Sequence, residues 1–153
     1  LAEGCFGSRC CFRGAAMNFI VVDASLWVAR LVPQDAFHTK VRTWMDVSRA
    51  EETEFLAPAL LLAEVAGAIA RRTGEADMAS RAVEYLENLP GLRLVEMDRR
   101  LLDQAAHLAA ELGLRGADST YVAVARRLNI PLATLDSDQR ERASHRVAIQ
   151  PLE

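Results

Sequence analysis

The sequence predicts an α/β domain in which a mainly parallel sheet of four or five strands is sandwiched between helices, and three observations lead there. Short apolar, partly β-branched runs such as Asn18 to Val22 (NFIVV) are of the kind found in strands buried on both faces. They alternate with stretches of helical periodicity, and a parallel neighbour requires such a crossover. No internal repeat, low-complexity tract or Gly/Ser/Pro-rich linker marks a second unit.

Taken in order, the run at 18–22 ends on Asp23, and Ala24 to Leu31 can start a helix. After Pro33 a second helix is expected, with Phe37, Val41, Trp44 and Val47 along one face. Glu54 to Ala57 reads as a very short strand. Pro58 then suits the first turn of a long apolar helix to about Arg72, stopped by Gly74. The next helix, near Glu75 to Asn88, carries Met78, Ala82, Tyr85 and Leu89 on one stripe before Pro90 and Gly91 break it. Leu92 to Met97 is a strand candidate. Arg99 to Leu112 follows as a helix with Leu101, Ala105, Leu108 and Leu112 inward. Ala117 to Leu128 is helical again, Pro131 to Leu135 a strand, Asp136 to Ala143 a short helix, and Val147 to Ile149 a final strand.

At 153 residues the chain suits one core, expected over residues 17–153. Residues 1–16 read as a poorly ordered extension ahead of Met17. That extension holds all three cysteines, Cys5, Cys10 and Cys11. An odd number cannot pair off, and the dispersed His38, His107 and His145 do not complete a zinc pattern. The apolar stretch from Ala57 to Ala70 is interrupted by Glu64 and is shorter than the roughly 20 residues a bilayer needs. Arg9 and Arg13 are followed by no apolar signal core, so a cytoplasmic location is expected, with no membrane partner. The net charge of −3 gives no global attraction to nucleic acid, yet seventeen arginines stand against the single Lys40. Arginine offers bidentate phosphate contacts. Arg71, Arg72, Arg126 and Arg127 are candidates for positioning phosphates, against the plainer role of solvated helix surface.

Four acids carry the chemistry. Sites in parallel sheets form where loops leave the carboxyl ends of strands, and Asp23 and Asp136 each follow a strand candidate. Singly, either could be a helix N-cap. Glu64 is harder to explain as structure, because its helical neighbours Leu60, Leu61, Gly67 and Ala68 offer no polar side chain. A carboxylate there must reach water, pair with a cation or bind a metal. Asp118 opens the stripe that continues at Tyr121 and Ala125, where capping is again the simpler role. Four carboxylates brought together without a cation would raise one another's pKa. Mg²⁺ or Mn²⁺, hard ions that take oxygen ligands and substrate phosphate, would relieve that.

Several motifs support a family resemblance: Val21 to Ser25 (VVDAS), Ala63 to Val65 (AEV), Gly116 to Ala125 (GADSTYVAVA) and Pro131 to Asp136 (PLATLD). With these, Met17 to Leu152 resembles PIN-domain ribonucleases, and most closely the VapC-like toxins of bacterial toxin–antitoxin pairs. The resemblance implies a PIN-like three-layer α/β/α fold and a quartet of catalytic metal ligands at Asp23, Glu64, Asp118 and Asp136. Ser25 and Thr134 would be hydroxyls that orient ligands or waters, and Asp138 a fifth carboxylate. It further implies Mg²⁺- or Mn²⁺-dependent cleavage of RNA, a homodimer, and a small antitoxin whose tail can block the cleft. Gln139 departs from the pattern, standing where relatives often carry an apolar residue.

Other readings fit less well. A phosphoacceptor receiver domain needs a lysine near its last strand, and the only lysine is Lys40. A haloacid-dehalogenase-like phosphatase would want a second aspartate at position 25, where Ser25 stands. A Ser/His/Asp hydrolase finds no histidine in a nucleophile or base motif. A nonenzymatic PIN-like scaffold that binds RNA or protein with its acids merely solvated remains as the alternative.

Overall fold

The computed structural model describes residues 17–153, so the expectations for the extension and its cysteines fall outside the described residues. Four strands, β1 (Phe19–Val22), β2 (Glu54–Pro58), β3 (Leu92–Val95) and β4 (Leu132–Ala133), form one sheet in the order β3-β2-β1-β4. Every pairing is parallel, with Val21 beside Leu56 and Leu132. Seven helices among the described residues make the crossovers: α1 (Ala24–Leu31), α2 (His38–Ala50), α3 (Leu61–Thr73), α4 (Ala76–Glu87), α5 (Arg99–Leu112), α6 (Gly116–Leu128) and α7 (Ser137–Ala143). This is the expected α/β architecture, with four strands.

The central strands are buried because their residues are apolar on both faces; Val21 and Val22 are fully enclosed. Trp27 of α1 meets Phe55 of β2 edge-on at 5.9 Å, and Trp44 of α2 stacks on the same ring at 5.8 Å. Helix α6 lies against β1, β2 and β4, while α3 pairs with α4 and α5 with α6. Gly74 and Gly113 end α3 and α5 in the left-handed conformation that spares a glycine the Cβ clash. None of the helices among the described residues is long and apolar enough to cross a membrane.

The structure differs from expectation at four places. Pro58 is the last residue of β2 and not part of a helix, which begins at Leu61. On α2 the inward face is Val41, Trp44, Met45 and Ser48, leaving Phe37 and Val47 half exposed. On α4 the inward stripe is Ala79, Ala82 and Leu86, so Met78 and Tyr85 point outward. Residues 147–149 make only a parallel bridge, Leu132 to Ile149, in place of a fifth strand.

Candidate functional site

Parallel register brings the first two acids to one edge. The β1–β4 ladder closes with the Asp23 N–H donating to the Ala133 carbonyl at 3.0 Å, which sets Asp23 level with Thr134. Asp23 is the N-cap of α1, accepting from the Ser25 N–H at 3.0 Å on Oδ2. Asp136 is the N-cap of α7, accepting from the Gln139 N–H at 3.0 Å on Oδ1. Both are caps, as their sequence positions suggest, and both also line the cleft at the strand ends. Asp118 is not a cap: it sits in the first turn of α6, whose N-cap, Arg115, makes no side-chain capping bond.

One cleft of about 470 Å³ collects Asp23, Ser25, Glu64, Asp118 and Asp136 together with Arg71, Arg72 and Arg115. The four acids arrive from β1, α3, α6 and the β4–α7 junction. Asp138 does not line this cleft: it is exposed on α7 and accepts from Arg142 Nε at 2.8 Å, an (i, i+4) pair on the helix surface.

Polar partners hold each acid differently. Glu64, without a local partner on α3, accepts from the Tyr121 hydroxyl of α6 at 2.5 Å. Tyr121 is fully buried, and its phenol is pushed far above its ordinary value by burial and by the facing Glu64 carboxylate. Ser25 Oγ accepts the Leu135 N–H at 3.1 Å, tying the start of α1 to the β4 exit. Thr134 Oγ1 accepts the Asp136 N–H at 3.1 Å and lies 2.6 Å from Gln139 Oε1 and 3.3 Å from Asp23 Oδ2. A threonine hydroxyl has one proton to donate, and the shorter contact takes it to Gln139.

Asp23 is therefore short of donors. It is 5% exposed, its firm bond is the Ser25 N–H, and the Gln139 amide reaches Oδ1 only at 3.5 Å. Burial raises its pKa above the ordinary carboxylate value, and the nearby Asp118 adds to the rise. Glu64 is raised as well, first by burial and then by Asp23 and Asp118. Both shifts mark a place where an added positive charge would be stabilised.

Sequence reasoning passed over Arg115 and noted Gln139 only as a departure from the family pattern. Arg115 spans two acids, with Nε 2.7 Å from Asp118 Oδ2 and Nη2 2.6 Å from Asp136 Oδ2. Gln139 is buried to 1% exposure and joins Thr134, Asp23 and, through Nε2 at 3.4 Å, the Asp118 carbonyl. A buried amide placed three residues after a capping aspartate was the available signal for Gln139. Arg115 gave none beyond its proximity to Asp118. With the Arg115 guanidinium between two of the acids, no three acid, histidine or cysteine side chains among the described residues stand close enough to hold an ion as they are placed.

Fold and cleft together define a parallel α/β domain with an acidic cleft at the carboxyl edge of its sheet. The chain belongs to the PIN domain family, whose profile matches residues 20–144. A search of curated protein sequences returns no match. Among solved structures it is similar to the Mycobacterium tuberculosis toxin VapC20, described as cleaving the sarcin-ricin loop, with 24% identity and a TM-score of 0.70 over 86% of this chain and 99% of that one. It also resembles VapBC2 from Rickettsia felis, solved on a promoter DNA fragment, at 11% identity and a TM-score of 0.67, over 88% of this chain and 99% of that one. FitAcB from Neisseria gonorrhoeae follows at 23% identity and 0.63, over 86% and 96%. At these identities the likeness is one of fold.

Proposed function

We propose that the protein is a divalent-metal-dependent endoribonuclease and the toxin of a toxin–antitoxin pair. The observation that carries this is the delivery of Asp23, Glu64, Asp118 and Asp136 from four separate segments into one cleft, with Asp23 buried and short of donors. The donor set is entirely carboxylate oxygen, which fits Mg²⁺ or Mn²⁺ and not zinc. The four acids would hold the ion, Asp138 lying outside the cleft. When bound, the ion supplies a nucleophilic water at neutral pH and stabilises charge on the leaving oxygen.

The chain's own side chains do the positioning. Tyr121 holds the Glu64 carboxylate by its hydroxyl, and the Ser25 N–H holds Asp23, with the Gln139 amide 3.5 Å from its other oxygen. Ser25 and Thr134 thus orient the acids' supports, Ser25 by its N–H on Asp23 and its Oγ on Leu135, Thr134 through Gln139. The antitoxin partner is what the family resemblance implies, and the likeness to VapBC2, solved with DNA from "their promoter", supports it. A homodimer is likewise what the family resemblance implies.

The test is cleavage of structured RNA by purified protein in Mg²⁺ or Mn²⁺. Asp118→Asn should lower the rate on the order of a thousandfold, since several kcal/mol of charge stabilisation depends on the ion. Wild type that cleaves nothing in either metal, or an Asp118→Asn protein that cleaves equally well, overturns the proposal. In the first case the nonenzymatic scaffold survives; in the second the protein is a nuclease with its site elsewhere.

A further inference from the structure

Four arginines that look alike in sequence separate in the structure. Arg126 and Arg127 line other depressions, away from the acidic cleft, with Arg127 3.7 Å from Asp98. Three arginines line the cleft itself, and two of these are engaged: Arg115 by Asp118 and Asp136, and Arg72 by Asp35 at 2.5 Å. Arg71 alone of the three has no ion pair or hydrogen bond among the described residues.

Its position is built by a glycine. Gly67 lies one helical turn before Arg71 on α3, and a Cβ added there would stand 3.0 Å from Arg71 Nη1. The guanidinium therefore lies back across the bare backbone of Gly67, toward the turn that carries Glu64. Side chains lean toward the N-terminus of their helix, so a bulkier residue at 67 would occupy the same space. Glu64 and Arg71 both line the cleft from this one helix, two turns or about 10 Å apart along its axis. One end thus offers negative charge to a cation and the other a forked donor to an anion.

We propose that Arg71, seated on Gly67, binds a backbone phosphate of the RNA adjacent to the one that is cut. The inference rests on the nuclease reading of the cleft. A guanidinium suits this task because its planar donors match two phosphate oxygens. Facing phosphate here, it also offsets the repulsion that four carboxylates impose on an approaching polyanion. The plainer role is that of a cation at the C-terminal end of α3, satisfying the helix dipole. That role predicts an effect on stability and none on RNA.

The experiment measures binding of a labelled hairpin RNA in Ca²⁺ across a range of salt, for wild type, Arg71→Gln, Gly67→Ala and, as control, Arg126→Gln. Arg71→Gln should weaken binding about tenfold and flatten the slope of log K against log[salt] by about 0.7 to 1, the loss of one phosphate contact. Arg126→Gln should leave the slope unchanged. Gly67→Ala should weaken binding in the same direction while its melting temperature stays level or rises, because alanine is the better helix former. Mn²⁺ affinity, read by calorimetry without RNA, should be the same for all four proteins. If Arg71→Gln keeps the wild-type slope and affinity while wild type cleaves RNA, the phosphate site is wrong and the nuclease reading stands. If the slope depends on Arg71 but wild type cleaves nothing in Mg²⁺ or Mn²⁺, the nuclease reading fails and the phosphate contact remains.

Discussion

The two walls of the cleft are built on opposite plans. At the strand ends, Asp23, Ser25, Thr134, Asp136 and Gln139 are linked to one another or to neighbouring backbone, and Asp23, Thr134 and Gln139 are buried. Across the cleft, α3 presents Glu64 on one hydrogen bond, from Tyr121, and Arg71 on none. A cross-linked wall has its geometry set before anything binds, which suits the side that fixes a reacting centre. A sparsely held wall leaves its side chains to adapt, which suits contact with a substrate backbone of variable path.

The largest effect expected is that of the proposed ion, which would join the walls. The raised pKa values of Asp23 and Glu64 mean that the folded protein keeps its protons to higher pH than the unfolded chain, whose ordinary values are 3.8 and 4.5. Without metal, stability should fall as pH climbs from those ordinary values through the raised ones, and level off above. A divalent ion favours the ionised carboxylates, so at neutral pH Mn²⁺ at a hundred times its Kd should add about 2.7 kcal/mol. Calorimetry in buffers of different ionisation enthalpy should show protons released on Mn²⁺ binding within that pH window and none well above it. Absence of stabilisation by Mn²⁺ at pH 7 would leave the acids without a shared ion.

Next comes the cross-linked wall. Thr134→Val keeps the shape but removes an acceptor from the Asp136 N–H and the donor from the buried Gln139 amide. The cost should be about 2 kcal/mol in urea unfolding. Adding Gln139→Leu should recover part of it, since removing both polar partners costs less than orphaning one. Equal stability of Thr134→Val and wild type would mean that the wall is not held as its hydrogen bonds suggest. The smallest effect belongs to α3: Tyr121→Phe should cost under about 1 kcal/mol, because water can reach the half-buried Glu64 and replace the lost bond. If it costs as much as Thr134→Val, the contrast between the walls collapses.

Much of the fold was legible because strands and helices differ in period, and because aspartates close β1 and the Pro131 to Leu135 segment at the residue where a parallel strand delivers its side chain to the sheet edge. The inward face of α4 was misjudged for a physical reason. Met78 and Tyr85 draw the eye, but α4 is turned by one residue, so that Ala79 and Leu86 pack inward beside the expected Ala82 while Met78 and Tyr85 flank the packed face outside. On α2, Ser48 in place of Val47 is a shift of the same size, with Met45 joining Trp44 inside. At the site, the acids were readable because carboxylates in apolar or strand-end settings are costly to leave there. Arg115 was not, and Gln139 stood out only as a departure from the family pattern, since one partner of each lies far off in sequence: Asp136 is 21 positions from Arg115, and Asp23 is 116 from Gln139.

Asp136 gives one oxygen to the start of α7 and the other to Arg115, so both are spoken for before any ion arrives. A cation bound as proposed would not fill a void at this corner; it would trade places with the guanidinium of Arg115, whose side chain is 74% exposed and free to swing into solvent. Uptake there would be ion exchange, its apparent strength the difference between two attractions to the same carboxylate.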